Sequence, residues 1–302
     1  MWRRLPVIRA AVKLGPSGLL RVIALVVLVV SVGWVVGPYR PDLRDPASIG
    51  SDSSNYYAAG QRLNAGHHLY MLGSGDRPVA NGTAPSPWSV PLLSPPPIAV
   101  VWRVLALLPG DASMYLWWAS GAIASLLFYV LLILRLPARQ LSIAILLAPC
   151  LSITAVSGNV NAFLIPISGA VWSLGIRNRS TVAGAIVGMM GAIKLAPALF
   201  LWWFICERKD RAVISTVATL VVATAVTILG AGLAAIATYP AVAAEANSVG
   251  LGPFSPTMVA LAIGVPGSVA PIAPYGIAIA SCLIASRSGD GQVGPSLHAS
   301  SA

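Results

Sequence analysis

Apolar residues run through this chain in long stretches separated by short polar or basic breaks. The runs are Val22–Val36, Leu92–Gly110, Tyr115–Leu134, Leu141–Val156, Phe163–Ile176, Val182–Ile205 and Ala212–Ala237, with a weaker pair at Met258–Val265 and Ile272–Ala285. A bilayer-crossing helix needs about twenty such residues, so the pattern predicts about eight spans and an all-α polytopic membrane protein. One stretch breaks the rhythm. Ser51–Tyr70, SDSSNYYAAGQRLNAGHHLY, is polar and patterned, with Tyr56, Ala59, Gly60 and Leu63 at the three- and four-residue spacing of one helical face. Asp52 to Ser54 offer oxygens to the unpaired N–H groups at its start, and Gly66 suits the left-handed conformation that ends a helix. An amphipathic helix beside a span belongs at the water–lipid boundary.

Composition agrees with that reading and excludes others. The chain is 57% apolar and 9% charged, with mean hydropathy +0.80, whereas ordinary globular chains are about a quarter charged. Its excess of 19 Lys and Arg over 9 Asp and Glu is not gathered into a nucleic-acid-binding block. Instead Arg3, Arg4, Arg9, Lys13 and Arg21 precede the first apolar run without an acidic neighbour, the mark of a cytoplasmic amino terminus. The run lacks a small-x-small cleavage site before Gly37 and Pro38, so it reads as a retained anchor. Residues 1–21 are then a cytoplasmic basic segment, 22–285 one transmembrane domain, 38–90 an extracytoplasmic loop within it, and 286–302 a polar, disordered tail. Cys150, Cys206 and Cys282 fall in or beside apolar stretches without metal or redox spacing.

Simple alternation of these runs puts Arg135, Arg139, Arg177 and Arg179 outside and the ERKDR turn, Glu207–Arg211, inside. That satisfies the positive-inside rule at one turn and strains it at two; a half-helix or re-entrant segment would remove the conflict. Gly158–Asn161, GNVN, places amides between two apolar runs, where they need partners. Gly184 and Gly188 have the small-xxx-small spacing of closely packed membrane helices.

The loop carrying YYAAGQRLNAGHHLY, the proline-rich SPPPIAVVW, then GNVNAFL and GAIKLAPALF, in that order over Trp34–Arg211, resembles glycosyltransferase family 87. The resemblance implies a GT-C-like helical bundle with a large first extracytoplasmic loop holding amphipathic interfacial helices. It also implies a cell-membrane enzyme that transfers mannose or arabinose from a polyprenyl-phosphate donor to a cell-envelope glycan or glycolipid. Membrane lipids are partners and nucleic acid is not; no soluble cofactor is needed, since the sugar arrives on lipid. Asp52 matches the acidic residue that acts on the acceptor hydroxyl, and a single displacement would invert the anomeric centre. Arg62, His67, His68, Arg103 and Lys194 are the candidates for the donor phosphate. Family members commonly continue through further spans, whereas the last run here stops at Ala285.

Each residue also has a plainer reading. Asp52 can be a helix cap, and both roles can coexist. His67 and His68 read as solvent-facing loop residues with poor spacing for a metal, so none is assigned. Asp42 and Asp45 read as solvated charges. Arg103 and Lys194 can snorkel, though an ammonium within a span is a functional candidate by default. Asn159 and Asn161, with Tyr56 and Tyr57, can line a polar cavity or bond neighbouring helices. The tryptophans Trp88, Trp102, Trp117, Trp118, Trp202 and Trp203 read as interfacial belts. A noncatalytic scaffold or lipid-binding subunit, or a transporter, is the alternative to an enzyme; a transporter should show internal repeats, and no second copy of the Asp52 or KLAP region occurs.

Overall fold

The computed structural model describes residues 15–39, 51–70, 92, 94–137, 140–177, 179–194, 196–249, 264 and 266. Asp42, Asp45, Trp88, Arg139, Cys282, the proline-rich string ending at Pro91, almost all of the two last apolar runs, and the tail lie outside them. The described residues form ten α-helices and no strand. In chain order they are α1 (Gly15–Tyr39), α2 (Ser51–Asn64), α3 (Pro97–Leu105), α4 (Gly110–Arg135), α5 (Leu141–Val156), α6 (Asn161–Ile176), α7 (Ser180–Ile193), α8 (Leu199–Cys206), α9 (Asp210–Ala231) and α10 (Leu233–Val249). Three of these, α1, α4 and α9, are long and apolar enough to cross a membrane. Their outward faces are hydrocarbon: Val29, Leu134, Ile214 and Leu229 are all exposed. The chain is a helical membrane protein.

Contacts divide it into two units, one reaching from the amino terminus to Leu92 and resuming over Ile98–Ala170, the other comprising Leu93–Pro97 and everything from Val171. In the first, α1 packs on α4 and α5 around Ala24, Tyr129, Ile133, Ala144, Ala148 and Leu151. The Tyr129 hydroxyl donates to the Ala24 carbonyl at 2.8 Å, which satisfies a polar group where water is excluded. α4 and α6 approach closely at Gly121, where a Cβ would meet Ala162 Cβ at 3.1 Å. Pro166, inside α6, has no N–H for the Ala162 carbonyl one turn earlier, and Ser125 Oγ from α4 donates to that carbonyl at 3.0 Å instead. The break in the helix ladder is thus repaired by a neighbour.

Two apolar runs differ from the sequence expectation. Leu92–Gly110 does not form a helix of membrane-spanning length: its helix α3 has nine residues, about 13.5 Å of rise against about 30 Å of hydrocarbon. The last turn of α3 and the residues after it stay with α2, since Arg103 bonds Asn64 and Gly110 packs on the Tyr57 ring. Pro95 and Pro96 hold the chain out of helix, Pro97 opens α3, and Leu107 to Pro109 turn the chain into α4.

In the second unit the run Val182–Ile205 is not one helix. α7 stops at Ile193, Lys194 is extended (φ −154°, ψ 133°), a 3-10 turn covers Ala196–Ala198, and α8 begins at Leu199. α7 and α9 run parallel, because Gly184 lies against the Ala212 backbone and Gly188 against the Thr216 carbonyl, with Thr216 Oγ1 donating to the Gly184 carbonyl at 3.0 Å. α8 between them must therefore run back, and α7 and α8 form a hairpin with Lys194 near its tip. Its return ends where Lys209 Nζ donates to the Gly175 carbonyl at 2.9 Å, beside the start of α7. The small-xxx-small spacing serves the seam expected of it, but within a hairpin rather than a span.

Candidate functional site

The site begins with a helix ending. α5 closes in a Schellman motif: Gly158 takes φ 64°, its N–H donates to the Ala155 carbonyl at 3.3 Å, and the Asn159 N–H donates to the Thr154 carbonyl at 3.1 Å. The same Asn159 opens α6. Its Oδ1 accepts from the Asn161 N–H at 2.8 Å, as a helix cap does, which commits the oxygen and leaves the amide nitrogen to face elsewhere.

It faces Asp52. Asn159 Nδ2 donates to Asp52 Oδ2 at 2.6 Å, and the Asp52 backbone N–H donates to the Ser157 carbonyl at 3.2 Å. Both backbone and side chain of Asp52 are thereby tied to the turn between α5 and α6. Asp52 itself lies in the first turn of α2, where the helix dipole favours a negative group. The Asn159 amide is a neutral donor and brings no charge of its own to the carboxylate it holds in place. Asp52 and Asn159 are half-buried, open enough to meet another molecule.

Aromatic rings support this turn. Trp117 Nε1 donates to the Gly158 carbonyl at 2.8 Å, and its ring sits 4.6 Å from Phe163, 5.1 Å from Trp102 and 6.2 Å from Tyr56. Trp102 is fully buried. Trp102 is therefore a core residue rather than a member of an interfacial belt, because α2 folds over it, and Trp117 beside it is half-buried. Gly60 permits that fold: a Cβ there would lie 2.5 Å from the Trp102 carbonyl oxygen. In the sequence, a tryptophan near the start of the longest span gave no sign that a loop helix would cover it.

The expected helical face is present, with Tyr56, Ala59, Gly60 and Leu63 buried and Gly66 at φ 77°. Tyr57 receives a hydrogen bond from Gln61 Nε2 at 2.8 Å and packs on Gly110. Arg62 and Arg103 hold the far end of this helix. Arg62 Nη1 donates to the Leu69 carbonyl at 3.2 Å, and Arg103 Nε donates to Asn64 Oδ1 at 3.1 Å while Asn64 Nδ2 returns a bond to the Arg103 carbonyl. These groups sit ten to twelve residues along α2 from Asp52, about 15–18 Å by helical rise. His67 and His68 follow the helix end and are exposed. Lys194 belongs to the second unit, half-buried, its N–H donating to the Met190 carbonyl at 2.8 Å. The structure thus joins Asp52 and Asn159, with Asn161 and Tyr56 close behind, and keeps Arg62, His67, His68 and Arg103 at the opposite end of α2.

A family model, that of glycosyltransferase family 87, matches residues 93–287, about two thirds of the chain. The chain belongs to glycosyltransferase family 87. The family 87 match begins after Asp52 and α2, and it includes Arg103, Trp117, Asn159, Asn161 and Lys194. It also continues beyond Arg211, the end of the stretch that carries the ordered motifs, through α10 and the weaker runs that follow. No curated protein and no solved structure matches the chain. As a member of family 87 it is a membrane glycosyltransferase.

Proposed function

We propose that this glycosyltransferase takes its sugar, mannose before arabinose, from a polyprenyl phosphate and passes it to a hydroxyl of a cell-envelope glycan or glycolipid at the outer face of the cell membrane. The observation that carries the reading is the hydrogen bond from Asn159 to Asp52, which holds one carboxylate at the turn beside a wet loop helix. Sidedness follows from charge. The basic residues before α1 favour a cytoplasmic amino terminus, and Arg135 ends α4 about 38 Å of rise from the Gly110 end, where α2 and Asp52 sit. With α3 not crossing, the strain at Arg135 disappears and Asp52 faces outward.

In the reaction, Asp52 accepts the acceptor hydroxyl's proton as that oxygen bonds to the anomeric carbon. The bond from the anomeric carbon to the phosphate oxygen breaks in the same step, and the polyprenyl phosphate leaves as an anion. One displacement inverts the centre. A stable leaving group removes the need for the second carboxyl group that glycoside hydrolysis requires. Lys194, at an unwound point in an apolar run, is assigned to the donor phosphate; Arg62 and Arg103 are assigned to fastening the far end of α2.

The test is transfer from labelled polyprenyl-phosphate mannose by membranes containing the full chain or Asp52→Asn. Transfer by the unaltered chain and its loss in the variant, at equal protein level, is the expected result. Undiminished transfer by the variant removes Asp52 from the chemistry, and no transfer by either favours the scaffold.

A further inference from the structure

Five cations of the second unit gather at one end of it. Lys209 Nζ reaches the Gly175 carbonyl at the end of α6, so the turn before α7, with Arg177 and Arg179, lies beside the turn before α9, with Arg208, Lys209 and Arg211. The parallel pairing of α7 and α9 requires the same neighbourhood. Arg177, Arg179, Arg208 and Arg211 are exposed. The acidic groups here are Glu207 and Asp210, also exposed, which leaves three positive charges in excess (five against two).

Beneath the cations is an aromatic layer. Lys209 Nζ stands 4.9 Å over the Trp203 ring, and Trp203 stacks on Trp172 at 4.8 Å. Exposed apolar side chains, Ile176, Val182, Ile205 and Ile214, stand among these rings and within one helical turn of the cations. Cations, tryptophan and exposed hydrocarbon gathered at one set of helix ends are what a membrane interface carries.

We infer that these two basic turns form one platform that binds anionic phospholipid headgroups of the cytoplasmic leaflet, with the α7–α8 hairpin entering the membrane from that face and returning to it. A single crossing over Val182–Ile205 would put the two turns on opposite faces; the hairpin brings both sets of arginines to one anionic surface. The inference stands on the second unit's geometry and does not depend on which sugar is transferred, or on Asp52.

The full chain is reconstituted in vesicles of equal parts phosphatidylcholine and phosphatidylglycerol, re-extracted in mild detergent, and its retained phospholipid is quantified. Phosphatidylglycerol is expected in excess over its share, falling about fivefold per neutralised cation in Arg177→Gln, Arg179→Gln and Arg211→Gln, and falling in high salt. Arg208→Gly separates lipid binding from folding, because Arg208 has φ 50°, a conformation glycine adopts without strain. That variant should lose phosphatidylglycerol while melting no lower than the parent. In a background with Cys150, Cys206 and Cys282 replaced by Ser, Arg177→Cys and Arg208→Cys should both react with an impermeant maleimide only from the cytoplasmic side. Unchanged retention in Arg208→Gly and in the variant combining Arg177→Gln, Arg179→Gln and Arg211→Gln overturns the inference. So does labelling of the two cysteines from opposite sides.

Discussion

The amide nitrogen of Asn159 stands 2.6 Å from Asp52 Oδ2, joining residues 107 positions apart. Asn159 can do so because its oxygen is occupied by the Asn161 N–H, so a single side chain caps α6 and aims a donor at α2. Removing the amide should therefore disturb Asp52 without removing it. Asn159→Ala is expected to lower kcat for sugar transfer about ten- to a hundredfold, the size of a lost hydrogen bond to a charged group, with little change in acceptor KM. Combining it with Asp52→Asn should cost no more than Asp52→Asn alone. Additive losses would mean that Asn159 acts on something other than Asp52.

Gly60 and Gly66 test two different glycine requirements on one helix. Gly60→Ala places a Cβ 2.5 Å from the Trp102 carbonyl, and forcing α2 away from α3 should cost about 1–3 kcal/mol. Gly66→Ala meets nothing within 4 Å but must hold φ at 77°, at about 1–2 kcal/mol. Thermal unfolding in detergent should show both losses. Only Gly60→Ala should also reduce transfer, since it moves the helix that carries Asp52.

Ser125 and Pro166 should be energetically coupled. Ser125→Ala leaves the Ala162 carbonyl without the hydroxyl that replaces Pro166's missing N–H, at a cost of about 1–3 kcal/mol. Pro166→Ala supplies an N–H to that carbonyl, so Ser125→Ala made in the Pro166→Ala background should be nearly silent. A double-mutant cycle on melting temperature measures the coupling, and independent effects would show that the carbonyl is satisfied another way.

The α7–α9 seam should tolerate no side chain at Gly184. A Cβ there would collide with the Ala212 backbone, whereas Ala185, one residue on, is half-buried and already carries one. Gly184→Leu is expected to lower the melting temperature well below that of Ala185→Leu, because membrane helices associate through close backbone approach. Similar effects at both positions would remove the seam as the hairpin's anchor.

Lys194→Ala should raise the KM for polyprenyl-phosphate mannose more than the KM for acceptor. A loss confined to acceptor use would exclude a phosphate role for this ammonium and leave its place near the hairpin tip to structural causes.

Local chemistry was enough to read the membrane class, the α2 helix with its buried face and left-handed Gly66, the interruption at GNVN and the glycine spacing of α7. Each of these is a property of neighbouring residues: periodicity, a cap, a turn. Family membership was legible for a similar reason, since it rests on the order of short motifs. What hydropathy could not convey was where the chain reverses. Leu92–Gly110 and Val182–Ile205 are apolar enough for spans, yet α3 stays with α2 through Asn64 and Tyr57, and α7 and α8 fold back because Gly184 and Lys209 have partners distant in sequence. Trp102 became a core residue for the same reason. Which side chain meets Asp52 was likewise a matter of tertiary packing: Asn159 was visible as an amide in need of a partner, and only the fold supplied one.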